Sequence, residues 1–300
     1  MKIKNFIYKI FFNLIIFFLK KINLFLKIFN KKNFFQEVHD ELEKNQTIKT
    51  EINNQKISLF CPSIKSLGRL ETLYSKEPET INWMNNFDDS KKIIFWDIGA
   101  NIGLYSIYAA TKYKEIEIIS FEPSTSNTRV LSRNISINNL HKKITIFQLP
   151  LTNKPNTISD FKETNFQEGG SLSTFQENFD ENGIELRSDS IKNQYKIFGT
   201  SINYLLENNI LKLPNYIKCD VDGLEHFILE GADKFLKNKD LLEISIETNS
   251  EFKDQYNKVK KILFENNFKQ ELYFLDKNDK NLDNSNFKEI FGNLLFRKIR

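Results

Sequence analysis

The residues whose types and spacing point to chemistry lie in two blocks. The first is Asp97-Ile-Gly99-Ala-Asn101-Ile-Gly103, followed about twenty residues later by Glu122-Pro123. Glycine lacks a β-carbon, so Gly99 and Gly103 permit positive φ and a close approach of a ligand to the backbone. An acid some twenty residues beyond such a turn is placed to hydrogen-bond a ribose diol. Turn and acid together indicate a nucleoside-containing cofactor. The spacing departs from Gly-x-Gly-x-x-Gly, and Tyr105 stands where a dinucleotide site would prefer a third glycine. The second block, Ile217-Lys-Cys-Asp220-Val-Asp222-Gly-Leu-Glu225-His226, offers proton acceptors. Asp220 is the first candidate and His226 the second, the alternative for His226 being a surface or helix-start histidine. Asp220 and Asp222 with Glu247 form an alternative set for Mg²⁺, although the turn at their position leaves that geometry open. Glu225 reads equally as a helix-dipole partner, and Lys218 as the counter-ion of a rim acid.

These residues need rigid elements to hold them, and the pattern around them supplies those elements. Ile93–Ile98 is an apolar run of the kind buried on both faces of a parallel sheet, and Leu104–Tyr113 continues as a helix. Ile116–Phe121, Ile144–Leu149, Asn215–Asp220 and Leu241–Ile246 read as further strands. Ser124–Asn139, Thr200–Asn208, Glu225–Leu236 and Phe252–Asn267 read as helices, the first with Val130, Leu131, Ile135 and Ile137 inward. Pro78–Phe87, with a first-turn proline, forms a helix covering the first core strand. Lys269–Leu275 and Asn293–Lys298 close as an antiparallel hairpin. Alternating strands and helices imply a parallel sheet, whose ligands sit beyond the strand carboxyl ends. Asp97, Glu122, Asp220 and Glu247 all occupy such ends. Between Thr152 and Ser190 the pattern fades, so residues 152–195 are expected to form a lid loop hinged at Gly169-Gly170.

Composition narrows the class. The chain has 300 residues, enough for one large domain with appendages, and two distant cysteines, Cys61 and Cys219, without zinc-type spacing. Its net charge of +4 is segregated: residues 1–32 hold eight lysines and no acid, leaving 35 basic and 39 acidic side chains elsewhere. The body is therefore not a nucleic-acid binder on charge grounds.

Residues 1–35 are expected to form an amphipathic helix, with Lys2, Asn5, Lys9, Lys20, Lys27 and Lys31 along one stripe and Phe, Leu and Ile around most of the remainder. A broad apolar face with a lysine stripe suits a helix lying in an anionic membrane interface. A spanning anchor and a helix packed on the protein's own body are the alternatives. Residues 36–90 are a leading segment packing on the core, with Lys56–Cys61 as a strand, and residues 91–300 form the ligand-binding domain.

The turn, Phe121-Glu122-Pro123 with Asn127 beyond it, and Ile217–Glu225 resemble the FkbM family of S-adenosylmethionine-dependent methyltransferases over roughly residues 90–250. The resemblance implies an α/β fold of the class I methyltransferase type: a Rossmann-like, seven-stranded sheet, mostly parallel, with an antiparallel last strand. It implies S-adenosylmethionine as cofactor, with Asp97, Gly99, Asn101 and Gly103 framing its methionine moiety and Glu122 its ribose. It also implies O-methylation, often of sugar hydroxyls in glycans or glycosylated metabolites. The chain departs from the family at Asp222, where Glu is usual, and at Asn203, where Asp is usual. With the N-terminal helix, this reading expects a cytoplasmic enzyme peripheral to the inner membrane face, with a glycan or glycolipid-precursor acceptor. A nucleotide- or NAD-binding oxidoreductase and a non-catalytic membrane-associated scaffold are the readings of other classes.

Overall fold

The computed structural model describes residues 2–29, 34–271 and 291–299. Asn30 and Lys31, which continue the polar stripe, Lys32 beside it, the outer part of the expected strand 269–275 and the loop after it lie outside these residues. The chain divides into a unit ending at Ile48 and a unit from Lys49 onward. The first unit extends past the expected break at 35, because a second helix groups with the first.

In the first unit, α1 (Lys2–Ile28) is one uninterrupted helix and α2 (Phe34–Lys44) follows. On α1 the side chains of Ile16, Leu19, Asn23 and Leu26 are half-buried. Phe11, Ile15, Phe18, Ile22, Phe25 and Phe29 are exposed, as are Lys9, Lys20, Lys21 and Lys27. No described helix is long and apolar enough to cross a membrane.

The second unit runs from the hairpin β1 (Thr47–Ile52) and β2 (Gln55–Phe60) through α3 (Ile64–Glu71) and α4 (Pro78–Met84) to the core. There β3 (Ile93–Ile98), α5 (Leu104–Lys112), β4 (Ile116–Phe121), α6 (Thr125–Ile137) and β5 (Ile144–Phe147) alternate. An inserted sheet follows, made of β6 (Thr157–Glu163), β7 (Ser173–Phe175) and β8 (Asn193–Gly199). The core then resumes with α7 (Ile202–Glu207), β9 (Tyr216–Cys219), α8 (Glu225–Glu230), β10 (Glu243–Asn249), α9 (Lys253–Glu265), β11 (Phe268–Glu271) and β12 (Phe291–Lys298).

The main sheet has seven strands in the order β11-β12-β10-β9-β3-β4-β5. Strands β5, β4, β3, β9 and β10 are mutually parallel, and β12 runs antiparallel to both its neighbours. This is the expected class I layout. Each central strand feeds a layer on either face, which is why these strands are apolar runs rather than alternating ones. Phe95 and Ile118 pack with Met84, Ile107 and Val130 on one side. Trp96, Ile119 and Ile217 pack with Leu205, Ile228 and Val259 on the other. Helix α4 covers the first core strand as expected: Trp83 and Phe87 lie 6.2 and 5.6 Å from Phe95 between ring centroids, and Phe87 stacks on Tyr216 at 3.8 Å.

Three expectations change. Ile137 is exposed, because α6 ends there and only Val130, Leu131 and Ile135 face the core. The regular helix after β9 stops at Glu230, and turns carry the chain to Leu236. The span expected to be a lid loop contains the antiparallel sheet β7-β6-β8. Its strands expose Ile158 and Phe198 and bury the polar Glu163 and Thr174 beside Phe161 and Phe175, so residue polarity does not follow their burial and the strands are hard to read in sequence.

Candidate active site

The carboxyl ends of β3, β4 and β9 open onto a cavity whose wall sets a few polar groups among apolar ones, the make-up of a small-molecule site. A second cavity lies beside it over the start of α5. Arg69, Gly99, Asn101 and Asp220 line both, so they form the partition between the two.

Glu122 stands on the wall of the first cavity at the end of β4. Its carboxylate accepts from the Asn101 N–H at 2.7 Å and the Ser124 N–H at 2.9 Å, tying the glycine turn to the head of α6. Burial pushes its pKa up to about 7, against the pull of those N–H groups. Phe121, Leu149, Leu151 and Ile228 make the rest of that wall apolar, with Phe161 and Phe175 from the inserted sheet. A flat heterocycle beside a ribose fits such a wall. Glu122 can accept from the ribose hydroxyls, so the residues present fit a nucleoside cofactor.

The turn itself is built differently from the expectation. A β-carbon on Gly103 would lie 2.4 Å from Leu131 Cδ1, so this glycine lets α5 and α6 close on each other and lines neither cavity. Asp97 is buried beneath the turn and also lines neither cavity. One of its oxygens accepts from Ser106 Oγ at 2.6 Å, while Oδ1 is buried without a partner. Burial raises the Asp97 pKa against the nearby Lys218 charge. Asn101, at φ 52°, donates through Nδ2 to the Gly170 carbonyl at 2.6 Å. Its side chain thus holds the loop between β6 and β7 while the residue stands on the partition between the cavities.

That loop is tied down at several points. Asn127 Nδ2 donates to the Gly170 carbonyl and the Gly169 N–H donates to Asn127 Oδ1. Arg69 Nε donates to the Gly169 carbonyl at 2.6 Å, and the Leu172 and Ser173 N–H groups donate to Asp222 Oδ2 at 2.7 and 3.2 Å. The glycines expected to be hinges are thus strapped across the first cavity, which Gly170 and Ser171 help to line. Burial, with the Asp220 charge beside it, pushes Asp222 up to about 6.

Asp220 caps β9, accepting from Lys218 Nζ at 2.5 Å. Burial works to raise its pKa, but the ammonium outweighs burial and holds it at about 2. Glu225 accepts from the Val221 and Gly223 N–H groups and from Gln255, bracing the turn, and burial pushes it up to about 7. Burial, then the Asp220 charge, lifts Glu247 well above the carboxylate range. Among the described residues no His, Cys, Asp and Glu side chains cluster as metal ligands.

His226 does not join the rim. It is 2 % exposed, lines neither cavity, and packs its ring against Phe227 and edge-on to Phe252. One residue into α8, it turns toward α9, and burial lowers its pKa. Asn203 lies elsewhere again, donating to Asp233 at 2.6 Å at the start of α7. Sequence reasoning missed Arg69, Glu77 and Tyr105. The Ser63 and Ser66 pair, a reciprocal cap starting α3, was the readable signal that a helix delivers Arg69.

A family model described as the methyltransferase FkbM domain matches residues 97–270. The methyltransferase sdnD of Sordaria araneosa is 30% identical over 160 residues, covering 46% of this chain and 60% of that protein. The chain thus spans less than two thirds of that relative. Among solved structures, precorrin-6y C5,15-methyltransferase of Geobacter metallireducens GS-15 has a TM-score of 0.41 at 13% identity, over 74% of this chain and 86% of that one. Aeropyrum pernix fibrillarin with natively bound S-adenosyl-L-methionine has a TM-score of 0.42 at 9% identity, over 83% and 82%.

Proposed function

The chain belongs to the FkbM family of S-adenosylmethionine-dependent methyltransferases, and from that premise we propose that it methylates a sugar hydroxyl of a glycan or glycolipid precursor at an anionic membrane surface. The observation that carries the reading is the partition at Asp220. One side offers Glu122 and an apolar wall for the donor, and the other a hydrogen-bonding wall for a hydroxylated acceptor.

When bound, S-adenosylmethionine supplies a methyl group already activated on a sulfonium, so alignment and electrostatics carry the rate. Glu122 anchors the ribose. Asp220, ionised at neutral pH, accepts the hydrogen bond of the incoming hydroxyl and orients it. A carboxylate held near 2 is a weak base, whereas Asp222, pushed up to about 6 on the same wall, is better matched to taking the hydroxyl proton. The strap at Gly169-Gly170 helps to exclude water.

Support for the membrane comes from α1, on which exposed Phe11, Ile15, Phe18, Ile22, Phe25 and Phe29 lie opposite exposed Lys9, Lys20 and Lys27. An in-plane helix on the cytoplasmic face would bring the site beside lipid-linked sugars.

Calorimetry tests the donor: S-adenosylhomocysteine should bind and NAD should not. The reverse result replaces the methyltransferase reading with the oxidoreductase one. Methyl transfer from labelled S-adenosylmethionine to a panel of methyl glycosides tests the acceptor class, and a chain that binds S-adenosylhomocysteine yet methylates none of them is not a sugar methyltransferase.

A further inference from the structure

Beneath the partition lies a buried polar clamp that the donor site does not use. Lys218 is 1 % exposed on β9, among the most buried large side chains of the protein. Its Nζ meets Asp220 Oδ2 at 2.5 Å and Glu77 Oε2 at 3.9 Å, and lies 4.7 Å from the centre of the Tyr105 ring. Glu77 Oε2 in turn accepts from Tyr105 Oη at 2.9 Å and from Asn293 Nδ2 at 3.1 Å. Groups from β9, α5 and the segment before α4 therefore surround one ammonium, and Asn293 of β12 braces Glu77 from the far side.

Burying a charge in this way adds little stability over an apolar residue, but removing one partner leaves the other uncompensated. What such a clamp secures is geometry. Lys218 and Asp220 are two residues apart where the strand ends, so the ammonium, itself on the wall of the second cavity, holds the carboxylate while Asp220 lines both cavities.

We propose that Lys218 is a positioning residue for methyl transfer, fixing the Asp220 carboxylate on the partition between the two cavities as the docking point for the acceptor hydroxyl. The proposal rests on the methyltransferase reading above. The titratable and charged groups around Asp220 are Lys218 itself, Lys76 beside Glu77, Arg69 on the same partition, Tyr105 on α5, Cys219 on β9, Asp97 on β3, Asp222 in the following turn, Glu225 on α8 and Glu247 on β10. Apart from the two lysines and Arg69 these are acids or neutral groups. Without the Lys218 ammonium, burial and the neighbouring acids dominate, and Asp220 must take up its proton at higher pH.

The test uses the full chain labelled with ¹³C at aspartate carboxyls, the Asp220 signal being identified by its loss in Asp220→Asn. In the wild type that signal should show no inflection above about pH 4. In Lys218→Met the inflection should move up into the range from about 4 to 8. Turnover on any methyl glycoside of the panel that is accepted should fall about 100-fold. Affinity for S-adenosylhomocysteine should stay within about threefold, because Lys218 does not line the donor cavity. Lys218→Arg keeps the charge and should recover part of the turnover with a flat carbon signal. A flat Asp220 signal in Lys218→Met, or undiminished turnover, overturns the proposal. Should Lys218→Met fail to fold, Tyr105→Phe loosens the clamp while keeping the buried charge; turnover should then fall about tenfold at unchanged donor affinity, and unchanged turnover overturns the proposal. If the wild type does not bind S-adenosylhomocysteine, the methyltransferase reading fails. If it binds but methylates no glycoside, the sugar reading fails, and the carbon signal decides on Lys218.

Discussion

A β-carbon on Gly99 would lie 1.8 Å from the carbonyl oxygen of Asp220, and Gly99 sits at φ 84°. The turn after β3 is thus pressed against the backbone at the end of β9, and the absent side chain admits neighbouring chain as much as ligand. Gly99→Ala should cost about 2–5 kcal/mol, combining overpacking with a left-handed backbone. Thermal melting should register this as a drop on the order of 10 °C. An unchanged melting temperature would mean the two backbones separate easily.

Glu122 should couple donor binding and stability to pH in opposite directions. Its folded value of about 7 lies above the ordinary 4.5, so the stability it contributes is fully present below about 4.5 and lost as pH rises through about 7. Ligand-free wild type should therefore lose stability relative to Glu122→Gln between pH 5 and 8 (a comparison that cancels other groups such as His226). The ionised carboxylate accepts ribose hydroxyls more strongly, so affinity for S-adenosylhomocysteine should rise over the same window. Glu122→Ala should weaken that affinity by about 1–3 kcal/mol. Melting curves and calorimetry at several pH values check both signs, and parallel rather than opposed trends would refute the coupling.

Asp222 holds the strap. Removing its acceptor hands the Leu172 and Ser173 N–H groups to water, at a cost of about 0.5–1.5 kcal/mol confined to that loop. Hydrogen exchange in Asp222→Ala should accelerate across residues 164–173 while the central strands keep their protection. Uniform acceleration would show that Asp222 supports the whole fold instead.

The N-terminal helix can be examined on vesicles. Full-length protein should float with anionic liposomes and release with salt, each lysine contributing about 1 kcal/mol, and a chain starting near Phe35 should stay in solution. Equal flotation of both would remove α1 as the anchor. Resistance of the intact protein to both salt and carbonate would overturn the in-plane reading.

The core was legible because burial on both faces of a parallel sheet leaves unbroken apolar runs such as Ile93–Ile98. The rim acids Glu122 and Asp220 were legible because strand ends follow directly from those runs. Which way a turn residue faces is set by tertiary neighbours, so the uses of Asp97, Asn101 and Gly103 could not be read from spacing. His226 misled for the same reason: Leu224 and Ile228, two positions to either side, line the cavity while His226 is packed away from it. Arg69 and Glu77 reach the site from a segment distant in sequence, and Glu77 also meets Asn293 from the last strand. The strands of the inserted sheet expose Ile158 and Phe198 and bury Glu163 and Thr174, so polarity in the sequence does not track which side faces in.

That inserted sheet leaves and rejoins the core at one place. Leu151 bridges Thr200, and the Thr152 N–H donates to the Thr200 carbonyl at 2.9 Å. Entry and exit are already side by side, so the intervening span is a cassette. A relative could exchange it for a longer or shorter one at little closure entropy, without rethreading the main sheet. Because Phe161, Gly170, Ser171 and Phe175 of the cassette line the first cavity, each exchange would reshape that pocket while Glu122 and Asp220 stayed where they are. Evolution could vary how such an enzyme encloses its donor through one removable part.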